Sequence, residues 1–209
     1  MATDSNNGAA PFLPDRLDLG SLRAAAAGCR GCDLYRHATA TVFGDGPPDA
    51  RFMLVGEQPG DQEDRKGAPF VGPAGRVLDR ALEEAGIERD DVYLTNAVKH
   101  FSFTLRGKRR IHQKPTAAEI DACRPWLTAE LAVVRPDVVV VLGATAARSL
   151  LGPGFRVTKQ RGVPVPLGEA LAVATIHPSA VLRAPDREAA YAGFLADLKA
   201  AARAADEAA

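Results

Sequence analysis

The chain lacks an excess of either charge. Its 209 residues carry 26 Lys and Arg against 26 Asp and Glu. Net charge therefore points to no polyanionic partner, and any nucleic-acid surface must arise from local clustering of cations. Long apolar runs are also missing, and none approaches the ~20 residues that span a bilayer. The opening stretch, MATDSNNGAAPFLPDRLDLG, has neither the basic start nor the apolar segment of a secretory signal. No membrane partner is expected, and residues 1–20 read as a mobile N-terminal tail before a single domain over 21–205. Cysteine is scarce, and three cannot close a disulfide set. Two of them sit as Cys29-x-x-Cys32, a spacing that in a reducing compartment serves metal or redox chemistry. A cytoplasmic setting is expected.

What is present alternates between two periods. RFMLVG (51–56), Val92-Tyr93-Leu94, DVVVVLG (137–143) and Leu171–Ile176 read as strands, the third apolar on both faces as in the middle of a covered parallel sheet. Between them lie helical patterns. One runs over 74–85 and stops at Gly86. A second opens on the capping box Thr116-Ala117-Ala118-Glu119 and runs to about Val134. A short third covers Ala144–Leu151, and an Ala-rich helix closes the chain over 186–204. The expected fold is a three-layer α/β/α domain around a mainly parallel, four-stranded sheet. Ligands of such sheets bind beyond the carboxyl ends of the strands. That directs attention to GEQPG (56–60), Thr95-Asn96, Gly143 and His177-Pro178-Ser179.

Each of these segments has an ordinary explanation when taken alone. GEQPGDQED is a tight turn without the Gly-Lys-Ser/Thr ending of a phosphate loop, and its acids repel phosphate. Asn96 can start a turn, but an amide at a strand end can also read a carbonyl beside an N–H, the edge that uracil presents. His177, fixed by Pro178, can pack or can stabilise an anion on a leaving group. Phe70, between Pro69 and Gly72, can plug a core or stack on a flat base. Cys29, Cys32 and Cys123 supply three thiolates where zinc and iron–sulfur clusters both use four ligands, and His100 is the nearest spare soft donor. The run Lys108-Arg109-Arg110-Ile111-His112, with Arg106 and Lys114 beside it, is either a solvated basic loop or a cationic surface around one imidazole.

Together, GEQPGDQEDRKGAPFVGPAG, TNAVKH and HPS, with the CxxC pair upstream and Cys123 between the last two, resemble the uracil-DNA glycosylase superfamily. They are most similar to its iron–sulfur members, family 4, over roughly residues 25–200. Gln58 in the first motif and the KRRIH stretch are similar to the UdgX type, which becomes covalently attached to uracil-containing DNA through a histidine of that stretch. The resemblance implies that Glu57 and His177 act in catalysis and that His112 is the nucleophile. It implies that Gln58, Asp61, Phe70 and Asn96 hold the base. Lys108, Arg109, Arg110, Ser179 and Arg183 are expected at the DNA backbone. Family 4 has cysteine where this chain has His100, and Cys29, Cys32, His100 and Cys123 are the implied ligands of a 4Fe–4S cluster. The implied partners are uracil-containing DNA, single strands favoured, and uracil retained as product; the protein is expected to be a monomer. The implied activity is uracil excision with a single-turnover adduct. A conventional, multiple-turnover family 4 enzyme and a non-catalytic, metal-stabilised damage-binding protein are the alternatives.

Overall fold

A computed structural model describes residues 8–208. In chain order the first half contains α1 (Leu19–Ala26), β1 (Phe52–Gly56), α2 (Asp61–Lys66), α3 (Pro73–Ala85), β2 (Val92–Asn96), β3 (Phe103–Arg106) and β4 (Arg109–His112). The second half contains α4 (Ala117–Val134), β5 (Val138–Leu142), α5 (Ala144–Leu151), α6 (Val157–Gln160), β6 (Pro164–Leu167), β7 (Ala170–Thr175), α7 (Pro178–Arg183) and α8 (Arg187–Ala208). The main sheet has five strands in the order β2-β1-β5-β7-β6. All neighbours pair parallel except β6, which runs antiparallel to β7.

The sheet therefore has one strand more than the four expected. Pro164 and Pro166 hide β6 from a sequence reading, because proline cannot donate to a ladder. An edge strand tolerates it, and β6 is the edge. The expected tail also needs division. Residues 1–7 lie outside the described residues. Beyond them the segment is packed: Ala9 is buried and its N–H donates to the Ala122 carbonyl at 2.7 Å, and Asp18 caps α1 through the Ser21 N–H at 2.8 Å. Among the described residues no helix is long and apolar enough to cross a membrane.

Alternation along the strands sorts the core into two layers. Phe52, Leu54, Val138, Val140 and Leu142 face Leu78, Leu82, Phe194 and Leu198 of α3 and α8. Met53, Val55, Val139 and Val141 face the other way, toward Leu127 of α4 and Ala146 and Ala147 of α5. Both faces are covered, as an all-buried parallel sheet requires. A third cluster joins Leu22 and Ala26 of α1 to Ile120, Cys123 and Trp126 of α4. The expected capping box forms: the Glu119 N–H donates to Thr116 Oγ1 at 3.3 Å, and Glu119 Oε2 accepts from the Thr116 N–H at 2.7 Å. α3 starts on Pro73 and ends at Gly86 with φ +73°, a conformation that favours glycine.

The KRRIH stretch is not an open loop. It forms strand β4 of a hairpin with β3, closed by Gly107-Lys108 with Gly107 at φ +62°. A glycine with positive φ at the first turn position matches the twist that two-residue hairpin turns need. Below the carboxyl end of β2, the buried Lys99 Nζ donates to Thr95 Oγ1 at 2.6 Å and to the Asn96 carbonyl at 2.9 Å, and it pairs with Glu130. That network fixes the backbone at Asn96.

Candidate active site

A cavity of about 700 Å³ opens at the carboxyl edge of the sheet. It is lined by Glu57, Gln58 and Asp61 after β1, by Phe70, by Asn96 at the end of β2, by His112 of the hairpin, and by His177, Ser179 and Arg183 after β7. Residues from five separate segments therefore meet where a doubly wound sheet places its ligand. The convergence rests on missing side chains. A Cβ at Gly56 would lie 2.3 Å from Asn96 Oδ1 and 2.8 Å from Phe70 Cζ. A Cβ at Gly75 would lie 1.6 Å from the Phe70 carbonyl oxygen. Phe70 itself has φ +55°, a costly backbone for a bulky residue, held by this contact with α3. Its ring lies at 6.2 Å from the His177 ring with 24° between the planes. Glu63 ties the two loops together, accepting from the Gly60 N–H at 3.1 Å and the Gly72 N–H at 2.8 Å.

His112 Nε2 lies 3.2 Å from Glu57 Oε1, and its side chain is 51% exposed at the cavity mouth. Burial by itself would raise the Glu57 carboxyl. The contact with His112, a hydrogen bond from Thr145 Oγ1 and the nearby His177 outweigh it and hold Glu57 below the usual carboxylate range. Glu57 is thus an anion at neutral pH. On the opposite wall the Ser179 N–H donates to His177 Nδ1 at 3.2 Å, and Ser179 Oγ lies 2.8 Å from the same atom. Burial pushes the His177 pKa down to about 4, with Arg183 and His112 adding to the effect and Glu57 opposing it. A neutral ring whose Nδ1 accepts carries its hydrogen on Nε2. His177 is therefore a neutral donor, and Ser179, expected at the DNA backbone, orients it.

The other residues expected at DNA or base divide sharply. Lys108 and Arg109 are exposed on the hairpin, as a phosphate contact requires. Arg110 is not available in that way: its side chain is 11% exposed, and it contacts Asp61 Oδ1 and Asp64 Oδ2 at 2.5 Å each and donates to Thr39 Oγ1 at 3.0 Å. It also lies 5.4 Å from the Phe101 ring centroid and 5.1 Å from that of Phe103. It was expected at the DNA backbone; here it braces the hairpin against the protein. Asp61 lines the cavity, but its carboxylate takes Arg65 as well as Arg110. Gln58 also lines the cavity while its amide is engaged elsewhere. Nε2 donates to the Ser102 and Gln113 carbonyls at 3.2 and 3.0 Å, and Oε1 accepts from the Ser102 N–H at 3.1 Å. Ser102 and Gln113 flank the hairpin, so Gln58 clasps its two feet. These bonds engage the side-chain amide and leave the backbone N–H groups beside Gln58 facing the cavity's loop.

Thr145 and Asp64 escaped the sequence reading. Thr145 lies two residues after Gly143, a loop already singled out, so its position at the sheet edge was the available signal. Asp64, buried completely, had no comparable mark in a run of acids.

The four soft donors lie on the far side of Lys99. Cys29 Sγ accepts from Trp126 Nε1 at 3.2 Å and the Gly31 N–H at 3.5 Å; Cys123 Sγ accepts from the Lys99 N–H at 3.3 Å. Cys29 and Cys32 are near enough for their charges to bear on Cys123, whose thiol burial pushes up to about 12. His100 Nε2 lies 2.9 Å from Thr41 Oγ1, and burial lowers its pKa to about 4, leaving a neutral imidazole. Cys29 and His100 both line a second cavity of about 260 Å³. Among the described residues no group of three or more His, Cys, Asp or Glu side chains stands as a site for a metal ion. Three buried sulfurs, two of them accepting N–H groups, and a neutral imidazole are donors of the chemical kinds that iron–sulfur clusters use.

Comparison with known proteins agrees with this geometry. The family described as "Uracil DNA glycosylase superfamily" matches residues 43–199. A type-4 uracil-DNA glycosylase of Thermotoga maritima is 41% identical over 157 residues, covering 74% of this chain and 78% of the relative. One from Sulfurisphaera tokodaii is 34% identical over 177 residues, covering 80% and 77%. A type-5 uracil-DNA glycosylase of Pyrobaculum aerophilum is 38% identical over 121 residues, covering 51% and 50%.

The His177 assignment is open to nitrogen-15 NMR of the ring. A neutral, Nε2-protonated pattern unchanged from pH 8 to pH 5 is expected, followed by protonation near the value of about 4 that burial sets. The folded pKa lies below the unfolded one of ~6.5, so this residue's contribution to stability is lost as pH falls through that window. A titration midpoint near 6.5 contradicts the burial and the donor role together.

Proposed function

The chain belongs to the uracil DNA glycosylase superfamily and within it to the type-4 family, and on that premise we propose that it excises uracil from DNA and bonds to the resulting deoxyribose through His112, in the manner of the UdgX type. The observation that carries this reading is the 3.2 Å approach of His112 Nε2 to Glu57 Oε1 at the mouth of the cavity. It aligns an imidazole with the acid of the first motif, beside the place a base would occupy.

The uracil leaves the base stack, at a cost of a few kcal/mol that is smallest in single strands. Stacking on Phe70 offsets roughly 1–3 kcal/mol of it. The Asn96 amide accepts from the uracil N3–H and donates to O4. Cytosine reverses that pattern, and each buried group left unpaired costs about 1–3 kcal/mol. As the C1′–N1 bond breaks, its electron pair stays on uracil, and the His177 Nε2–H donates to the developing anion. Such a preorganised donor contributes about 2.7–4 kcal/mol. Glu57 faces the cationic sugar and fixes the His112 ring by accepting from it. The ring nitrogen turned toward C1′ without a hydrogen gives its lone pair to that carbon, and the alkylated ring then loses its remaining N–H proton to water. His112 precedes water because the hairpin holds it at a high effective concentration. Lys108 and Arg109 carry phosphate contacts with Arg183.

The residues Cys29, Cys32, His100 and Cys123 hold a 4Fe–4S cluster in this reading, which when bound cross-links the N-terminal segment to α4 and the end of β2. A brown protein with broad visible absorption that Cys123→Ala loses supports that set. A colourless, zinc-containing preparation refutes it.

For the reaction, uracil-containing single-stranded DNA is mixed with the protein and run on a denaturing gel. A heat- and detergent-stable shifted band is expected, and His112→Ala is expected to abolish it while uracil release continues. His177→Ala is expected to slow uracil release about 10²–10³-fold. Repeated turnover with no shifted band identifies the conventional type-4 reaction instead, and an undiminished band in His112→Ala removes His112 as nucleophile.

A further inference from the structure

The Glu57 carboxylate is held on both oxygens. His112 meets Oε1 at 3.2 Å, and Oε2 accepts a hydrogen bond from the Thr145 hydroxyl. Among the described residues no other hydrogen bond or ion pair reaches that carboxylate. The two partners differ in freedom. The His112 side chain is half exposed on the hairpin, whereas Thr145 is 2% exposed. Thr145 lies in the first turn of α5, and the two residues after it, Ala146 and Ala147, pack against the Met53, Val55, Val139 and Val141 face of the sheet. α5 starts at Gly143 with φ +89°, where a Cβ would lie 3.2 Å from the His177 Cβ. That glycine lets the start of α5 close up against the His177 segment. A helical threonine can return its hydroxyl to the carbonyl three or four residues back. Here the hydroxyl is given to Glu57.

We propose that Thr145 is a positioning residue of the reaction: it fixes one oxygen of Glu57 so that the other stays turned toward His112 and the sugar. This rests on the reading of Glu57 as the anion that faces the sugar cation. Rotation about the last bond of a glutamate side chain is broad when nothing restrains it. An oxygen anchored on a buried, helix-borne hydroxyl supplies the restraint. The kind of anchor matters as well. A lysine or arginine in its place would hold Glu57 but pair with it, and the sugar cation would then face an ion pair instead of an anion. A hydroxyl anchors without adding charge. It also favours the charged form against burial, in the same direction as His112 and the nearby His177. The other charged side chains on the cavity wall are Asp61, Glu63 and Arg183. Thr145 acts through Glu57, from behind the residues that line the cavity.

Thr145→Val removes the donor and keeps the shape, and Thr145→Ser keeps the donor. Thr145→Ala is measured beside them, because alanine favours the helix and so protects the fold. Single-turnover uracil release and adduct formation on single-stranded DNA are followed from pH 5 to pH 8. His112 and His177 are present in every variant, so the ratio of variant to wild-type rate isolates Glu57. In Thr145→Val and Thr145→Ala, uracil release is expected to fall about tenfold at pH 5 and about twofold at pH 8. A buried carboxyl that loses a donor to its anion takes up its proton at higher pH, so the acid limb of the profile moves upward. The ratio of adduct to uracil released is expected to fall as well, and Thr145→Ser recovers most of both. A loss of equal size at every pH, a loss that serine does not recover, or no loss at all overturns the positioning role. A wild-type protein that releases uracil without an adduct removes the covalent step alone, and the pH profile of release still decides the role of Thr145. A wild-type protein that releases no uracil overturns the proposed function, and the role with it.

Discussion

Arg110 turns its guanidinium inward onto Asp64 and Asp61, and that contact determines where the only histidine of the hairpin lies. Asp64 is completely buried. It also accepts from the Thr39 N–H at 2.9 and 3.1 Å, so one carboxylate joins the segment preceding β1 to the hairpin. A buried ion pair of this kind is a weak source of net stability, but breaking it from one side strands a charge at a cost of 3–5 kcal/mol. Its value lies in geometry. The planar guanidinium reaches both acids at once and lies near two phenyl rings, a set of contacts an ammonium cannot reproduce. With Gln58 across the feet, the hairpin becomes part of the rigid sheet edge, and His112 meets Glu57 as a consequence.

Electrostatics then separates two histidines that share one cavity. His177 is walled in, loses its charge and offers a single N–H. His112 stands at the mouth against an anion. The carboxylate between them is kept ionised by its neighbours in spite of its burial. In the proposed reaction a departing base needs a donor and a forming sugar cation needs an anion and a nucleophile, and the two walls of the cavity would supply these separately.

Much of this was legible in the sequence where burial and pattern coincide. DVVVVLG suits a covered strand, the Thr116 box marks its helix, and the strand-end rule singles out the loops that carry Glu57, Asn96 and His177. The failures are equally physical. β6 was hidden by Pro164 and Pro166, which an edge permits. The hairpin was read as a loop because its strands carry Arg106, Arg109 and Arg110, and charge on an exposed two-stranded ribbon does not alternate with a core. Arg110 looked like its neighbours Lys108 and Arg109. Only the partners, 46 and 49 residues away in sequence, show that it faces inward. The motif around Gln58 does not reveal that its side-chain amide serves the chain that follows β2.

Arg110→Lys examines the central constraint most directly, because it keeps a positive charge near Asp64 but removes the planar fork. The quantity to measure is the ratio of covalent adduct to uracil released from single-stranded DNA. A brace that seats His112 predicts that the ratio falls by at least about tenfold while uracil release, which the proposed mechanism assigns to Asn96, Glu57 and His177, stays within about fivefold of the unmodified protein. An unchanged ratio would mean that the imidazole finds the sugar without the brace, and the account would be wrong at its base.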